Sequence, residues 1–309
     1  MKMTYSLRMS TANFWVNANA FVGRLRVSDS LHMILLQSSA RMSVIRRNTT
    51  EYFTHAAPRL AGSARVIING NFYALTRSGQ WSAVTGSDPV DPAETTSLGR
   101  LVDNEVAIGG VVSRQMFNFA QVRRSQTPGP LLRPEPLPCV APLTTCPDSY
   151  AYEYQANFGP APTGAWVQSA IGGLGPLVIQ GLKYGNGNRY RAGAPGSPPA
   201  TGAPPANAQP FLTQRNNNTF ISAAGRSVST GKTILASSSE KEKILIIVQE
   251  DGSSGQRLDH IRDRLFDLSF DNAVFLDGSD SSCLWFGGSW RIRPGNSKNE
   301  TINSGVAFH

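Results

Sequence analysis

Two apolar runs with a helical repeat between them constrain this chain most. Lys243-Ile244-Leu245-Ile246-Ile247-Val248 is almost wholly apolar, the pattern of a strand covered on both faces and placed centrally in a sheet. Val274-Phe275-Leu276 is a second strand-like run with nothing polar in it. Between them Leu258, Ile261, Leu265 and Leu268 recur at helical spacing, with Asp259, Arg262, Asp263 and Asp267 interleaved, which predicts an amphipathic helix packed on the sheet. The order is strand, helix, strand, and ligands commonly bind beyond the carboxyl ends of strands in such units. At that end stands Asp277-Gly278-Ser279-Asp280-Ser281-Ser282. A carboxylate leaves the buried run there and enters a turn of small, hydroxyl-bearing residues. Such a turn offers N–H groups and hydroxyls to a sugar or a phosphate, or its side chains bond only their own backbone.

The rest of the chain reads mainly as strands. Leu31 to Leu36, Met42 to Ile45 and Thr233 to Ala236 are strand-like, and Val66-Ile67-Ile68 ends in Asn69-Gly70-Asn71-Phe72-Tyr73, again a buried run followed by a polar residue and Gly. Leu101 to Ser113 reads as a strand or hairpin, with Val106, Ile108, Val111 and Val112 as its candidates for burial. Tyr152 and Tyr154 alternate with polar or small neighbours, as in a half-exposed strand. Trp166 to Gly173 runs through a Gly turn into Pro176 to Ile179. Ser125 to Pro147 is rich in Pro and Thr and reads as a surface loop, and residues 191–216 read as a flexible insertion. With 29 Gly and 20 Pro, turns abound, and the expectation is one domain over residues 1–309. Its class is α+β: mixed β-sheets with packed helices and long Pro/Gly-rich loop insertions.

Charge narrows the partners. The net charge is +8 over 309 residues, which favours an anionic substrate or partner. The basic residues are dispersed (Arg41, Arg46, Arg47, Arg59, Arg65, Arg123, Arg124, Lys241, Lys243), so no nucleic-acid surface is expected. No apolar run is long enough to span a bilayer, and the first residues lack the apolar stretch of a secretion signal, so a cytoplasmic location is the default expectation. Cys139 and Cys146 flank a Pro-rich loop and either pair or stay reduced. The four His form no spaced ligand pair, so neither a metal nor another cofactor is expected.

Four segments, in this order, resemble the phosphodiester glycosidase family: Ile68 to Tyr73, Gly173 to Gly181, Arg226 to Gly231, and Phe275 to Ser282. Relatives in that family are associated with bacterial exopolysaccharide biosynthesis. The resemblance covers roughly Arg65 to Gly288 and implies a hydrolase that cleaves the glycosidic bond between a sugar and phosphate. The chain departs from the family where a triple Gly follows the Asp: here Gly278 is followed by Ser279 and Asp280. Cys283 replaces a Thr and reads as a buried small hydrophobe, and Asn299-Glu300-Thr301 stands where the family tends to place an Arg before its last strand.

The resemblance implies a catalytic set of Asp277 at the anomeric centre, Arg226 as a bidentate phosphate clamp and Asn69 as a hydrogen-bonding partner of the sugar or phosphate. It implies a substrate-binding set of Gly70, Asn71, Tyr73, Gly173, Ser227, Gly278, Ser279, Asp280, Ser281 and Ser282. Local sequence alone favours a surface position for Arg226 and a solvated turn for Asp280, and suits Asn69 equally as a turn cap. Two readings from other classes stand beside the hydrolase. One is a non-catalytic module that captures a sugar phosphate or anionic polysaccharide in the same pocket. The other is a structural or attachment protein that borrows the fold.

Overall fold

A computed structural model describes residues 23–26, 30–75, 95–112, 116–123, 152–184, 228–240 and 242–309, with the backbone alone for 23–26, 74 and 75. Arg226, Ser227, Cys139, Cys146 and the 191–216 insertion lie outside the described residues. The first part of the chain supplies β1 (Gly23–Arg26), β2 (Leu31–Gln37), β3 (Met42–Arg46), helix α1 (Phe53–Ala61), β4 (Val66–Asn69), β5 (Tyr73–Leu75), β6 (Thr95–Ser97), β7 (Leu101–Asp103), β8 (Val106–Gly109) and β9 (Phe117–Arg123). Then come β10 (Tyr152–Phe158), β11 (Val167–Ile179), β12 (Leu182–Lys183), β13 (Lys232–Ser238), β14 (Lys243–Gln249), α2 (Leu258–Asp267), β15 (Asn272–Phe275), β16 (Leu284–Phe286), β17 (Ser289–Ile292), α3 (Asn296–Thr301) and β18 (Ser304–Phe308).

The large sheet runs β1-β2-β14-β13-β15-β11-β7-β8, with β9, β10 and β12 attached at β11 and its neighbours. The small sheet runs β17-β16-β4-β18-β3. Every pairing among the described strands is antiparallel, and helices are few. The expectation of mixed sheets is therefore corrected. The reason is visible around the helix: β13 lies between β14 and β15 and opposes both, so α2 carries the chain over one strand instead of joining parallel neighbours.

The main core joins the two sheets. Val44, Val66, Ile68, Val306 and Phe308 of the small sheet cluster with Met33, Leu35, Ile171, Leu235, Leu245 and Val274 of the large one. A second core lies where Ile45, Ile67 and Ala307 meet Phe53, Ala57 and Ala61 of α1. Burying such a side chain contributes about 1.5–3 kcal/mol, so strands covered on both faces dominate stability. β14 is one, as its apolar run requires.

Two further expectations change. Val106, Val111 and Val112 are exposed, while Leu101 and Val102 are the buried pair. β8 ends the sheet, a position that alternation in sequence does not reveal, and beyond it the Val111 N–H donates to the Ser97 carbonyl of β6. Gly172 and Gly173 make no turn: both lie inside the single strand β11, which absorbs register shifts between Ile171 and Leu174 and between Pro176 and Val178.

Candidate active site

β15 of the large sheet and β4 of the small sheet end side by side, and Asp277 leaves one as Asn69 leaves the other. The Asn69 amide Nδ2 donates to the Asp277 carbonyl at 2.7 Å. Its Oδ1 accepts from the Thr233 hydroxyl at 2.7 Å and from the Cys283 N–H at 3.1 Å. The Asp277 N–H completes the seam by donating to the Gly70 carbonyl at 3.3 Å. Asn69 is 1% exposed and these bonds commit both ends of its amide. It thus positions the Asp277 turn through groups that are already bonded inside the protein.

Asn71 is likewise spent inside the protein, donating to the Gly172 carbonyl at 2.9 Å and accepting from the Ser304 hydroxyl at 2.7 Å. Gly70 is required by proximity, since a Cβ there would stand 2.2 Å from Ser304 Oγ. Gly173 has φ +73° and packs its backbone on Leu98 and Gly99. Gly231, from the third segment, accepts the Ser279 N–H at 2.9 Å, and a Cβ on it would lie 2.1 Å from the Ser279 carbonyl oxygen. Thus the described parts of all four segments meet: Asn69 and Asn71 touch the Asp277 turn and β11, and Gly231 carries the turn from below. These polar segments interlock through backbone and amide groups.

The turn itself presents the reactive groups. Residues 279–281 form one 3-10 turn, with Ser279 at φ +56°. That left-handed backbone costs a residue with a side chain about 1 kcal/mol. Asp277 is partly buried and accepts the Gly278 N–H at 3.1 Å. Burial pushes its carboxyl above the ordinary range, the Lys298 ammonium, the Ser281 hydroxyl and the Gly278 N–H pull it back, and the Asp280 carboxylate adds to the rise. Ser281 and Ser282 are 0% and 2% exposed, and their hydroxyls complete no hydrogen bond of good geometry. The Ser281 hydroxyl still lies close enough to Asp277 and Tyr73 to favour their ionised forms.

Tyr73 closes one side. Its hydroxyl meets that of Thr301, and burial first, then the charges of Asp277 and Asp280, push its ionisation up beyond any physiological range. Tyr73 can act here only as a neutral phenol. The cation beside these groups is Lys298 on α3, with Nζ 4.0 Å from Asp280 Oδ1 and 5.8 Å above the Tyr73 ring centroid. A partly exposed pair of this length is worth under about 1 kcal/mol, so it does little to hold the fold. Lys298 is not legible as a site residue in the sequence, because α3 spans six residues with no apolar periodicity. The available signal was a Lys directly before Asn299-Glu300-Thr301.

Cys283 is fully buried, and burial raises its thiol well above the usual range, leaving it a core residue. Among the described residues no group of His, Cys, Asp and Glu could hold a metal ion, and no helix is long and apolar enough to cross a membrane. A polar cleft of about 410 Å³, lined by Arg41, Asn104, Glu105, Arg123, Tyr152 and Gln168, shares no residue with the Asp277 turn.

No family model matches the chain, and no curated protein does. Among solved structures it is similar to the zebrafish N-acetylglucosamine-1-phosphodiester alpha-N-acetylglucosaminidase catalytic domain auto-inhibited by pro-peptide, at 14% identity and a TM-score of 0.48, over 93% of this chain and 86% of that one. A hypothetical protein from Synechocystis matches at 11% identity and a TM-score of 0.44, over 93% of this chain and 63% of that one. A protein from Burkholderia pseudomallei K96243 matches at 12% identity and a TM-score of 0.44, over 90% and 73%. These are distant likenesses of fold and assign no residue.

Proposed function

We propose that the chain is a glycosidase that hydrolyses the bond between a sugar and phosphate in a sugar-1-phosphodiester or a related anionic glycan. The observation that carries this reading is the Asp277 carboxyl, raised by burial and bordered by Tyr73 and the buried Ser281 hydroxyl. A poorly solvated carboxylate is suited to an oxocarbenium-like centre, which it stabilises or attacks. In the reaction, Asp277 bonds to the anomeric carbon as the carbon–oxygen bond to phosphate breaks, and the electron pair leaves with the phosphate oxygen. Water then adds at the same carbon, frees Asp277 and loses a proton to solvent, so the products are the free sugar and a phosphate monoester. Phosphate leaves without strong protonation, so one carboxylate and a cation suffice. Arg226 remains the sequence's candidate clamp, with Ser227 beside it. The hydroxyls of Ser279, Ser281 and Ser282 are the donors of the turn toward the sugar or the phosphate, while its N–H groups and Asn69 hold it in place.

The test is release of reducing sugar from a panel of sugar-1-phosphodiesters. The native protein is expected to turn over at least one of them, and Asp277→Asn to lose at least about 1,000-fold in kcat. Full activity in Asp277→Asn would end this mechanism. A binding module is the second reading, favoured by Ser279 and Asp280, which add a strained backbone and a second carboxylate to the turn. Calorimetry with an intact diester separates the two, since tight binding without turnover supports the module.

A further inference from the structure

We propose that Lys298 is a specificity-determining residue of this site, the cation that recognises an anionic group on the substrate beside Asp277. The inference rests on the reading that Asp277 works at the anomeric centre.

Two carboxylates, Asp277 and Asp280, stand in the same turn, and each repels a substrate that carries phosphate. An anion can approach only if a positive charge lies with them. Lys298 supplies it: its ammonium is 4.0 Å from Asp280 and is the foremost charge favouring ionised Asp277. Tyr73, from β5, faces the same group with its ring and stays neutral. The Lys298 side chain is 24% exposed, so it is mostly packed yet keeps some contact with solvent.

The placement is built rather than incidental. α3 is tied to the turn by the Gly295 N–H, which donates to the Asp280 carbonyl at 2.7 Å. Asn299 Oδ1 accepts the Thr54 N–H at 2.9 Å, and the Glu300 carbonyl accepts from Arg47 at 2.7 Å. The buried Ser282 hydroxyl completes no hydrogen bond in the same turn and is a donor in reserve for an oxygen of the anion that Lys298 attracts. The second carboxylate at Asp280 and the cation at Lys298 therefore set anion affinity in opposite directions.

The experiment measures kcat/KM for the native protein, Lys298→Met, Lys298→Arg and Asp280→Asn on a sugar-1-phosphodiester and on the uncharged nitrophenyl glycoside of the same sugar. Calorimetric titration with inorganic phosphate runs alongside. Lys298→Met is expected to lose about 100-fold on the diester and less than about tenfold on the neutral glycoside. Lys298→Arg recovers most of the difference, and Asp280→Asn binds phosphate more tightly than the native protein. Equal losses on both substrates would make Lys298 merely structural and overturn the proposal. If the native protein cleaves neither substrate, the glycosidase reading fails by itself and the phosphate titration decides Lys298. Affinity weakened in Lys298→Met and strengthened in Asp280→Asn then upholds it; unchanged affinity, or no phosphate binding by the native protein, overturns it.

Discussion

Asn69 shows how much one side chain can join. Its amide bonds the end of β15, the first residues of β13 and the entry to β16, each through a different atom pair. Removing it leaves the Thr233 hydroxyl, the Asp277 carbonyl and the Cys283 N–H without this partner, and Thr233 and Cys283 are fully buried. Asn69→Ala is therefore expected to cost about 2–4 kcal/mol, read from urea denaturation midpoints at constant slope. A change under about 0.5 kcal/mol would show that the three groups find other partners. In sequence Asn69 could be read as a turn cap or as a substrate ligand, because nothing local shows that Thr233 and Cys283 will meet it. The carboxylate of Asp277 was legible from the apolar run that delivers it. Lys298 was not, because its importance lies in being near a turn that precedes it by a whole hairpin.

At the scale of elements, the site is a crossing between sheets. β15 belongs to the large sheet and β16 to the small one, and the Asp277–Ser282 turn is the path between them. The turn is seated on Gly231, whose position leaves no room for a Cβ against the Ser279 carbonyl. Gly231→Ala must displace backbone, so a loss of about 1–3 kcal/mol is expected together with a kcat loss from misplacement of Asp277. Thermal melts and the reducing-sugar assay read the two effects separately, and a native melting temperature would refute the close approach. The apolar strands β2, β4, β13 and β14 and the helix α2 were legible from composition and period alone. Which strands neighbour one another was not: β13 slots between β14 and β15, and the exposed Val106 sits on a terminal strand that looks like an interior one in sequence.

For the whole molecule, the cost of keeping Asp277 in the site appears in the pH dependence of folding. Its folded-state pKa is raised above the ordinary 3.8. The folded state therefore holds a proton that the unfolded state has released, and stability falls as pH rises from about 3.8 through the folded value. Asp277→Asn is expected to be more stable than the native protein at pH 7, with the advantage shrinking toward pH 3. Denaturation midpoints measured across that interval check the sign, and an advantage that grew on acidification would contradict it. By itself the sequence determined the strand-rich apolar core, the amphipathic α2, the Asp277 turn at a strand's end and the net charge of +8. Those properties follow from local pattern and composition. The tertiary structure alone decided that all pairings among the described strands are antiparallel, that Asn69 is spent on the fold, and that Lys298 stands with Asp277, Asp280 and Tyr73. Each of those depends on contacts between residues far apart in the chain, formed when two sheets close on one core, and local periodicity carries no record of them.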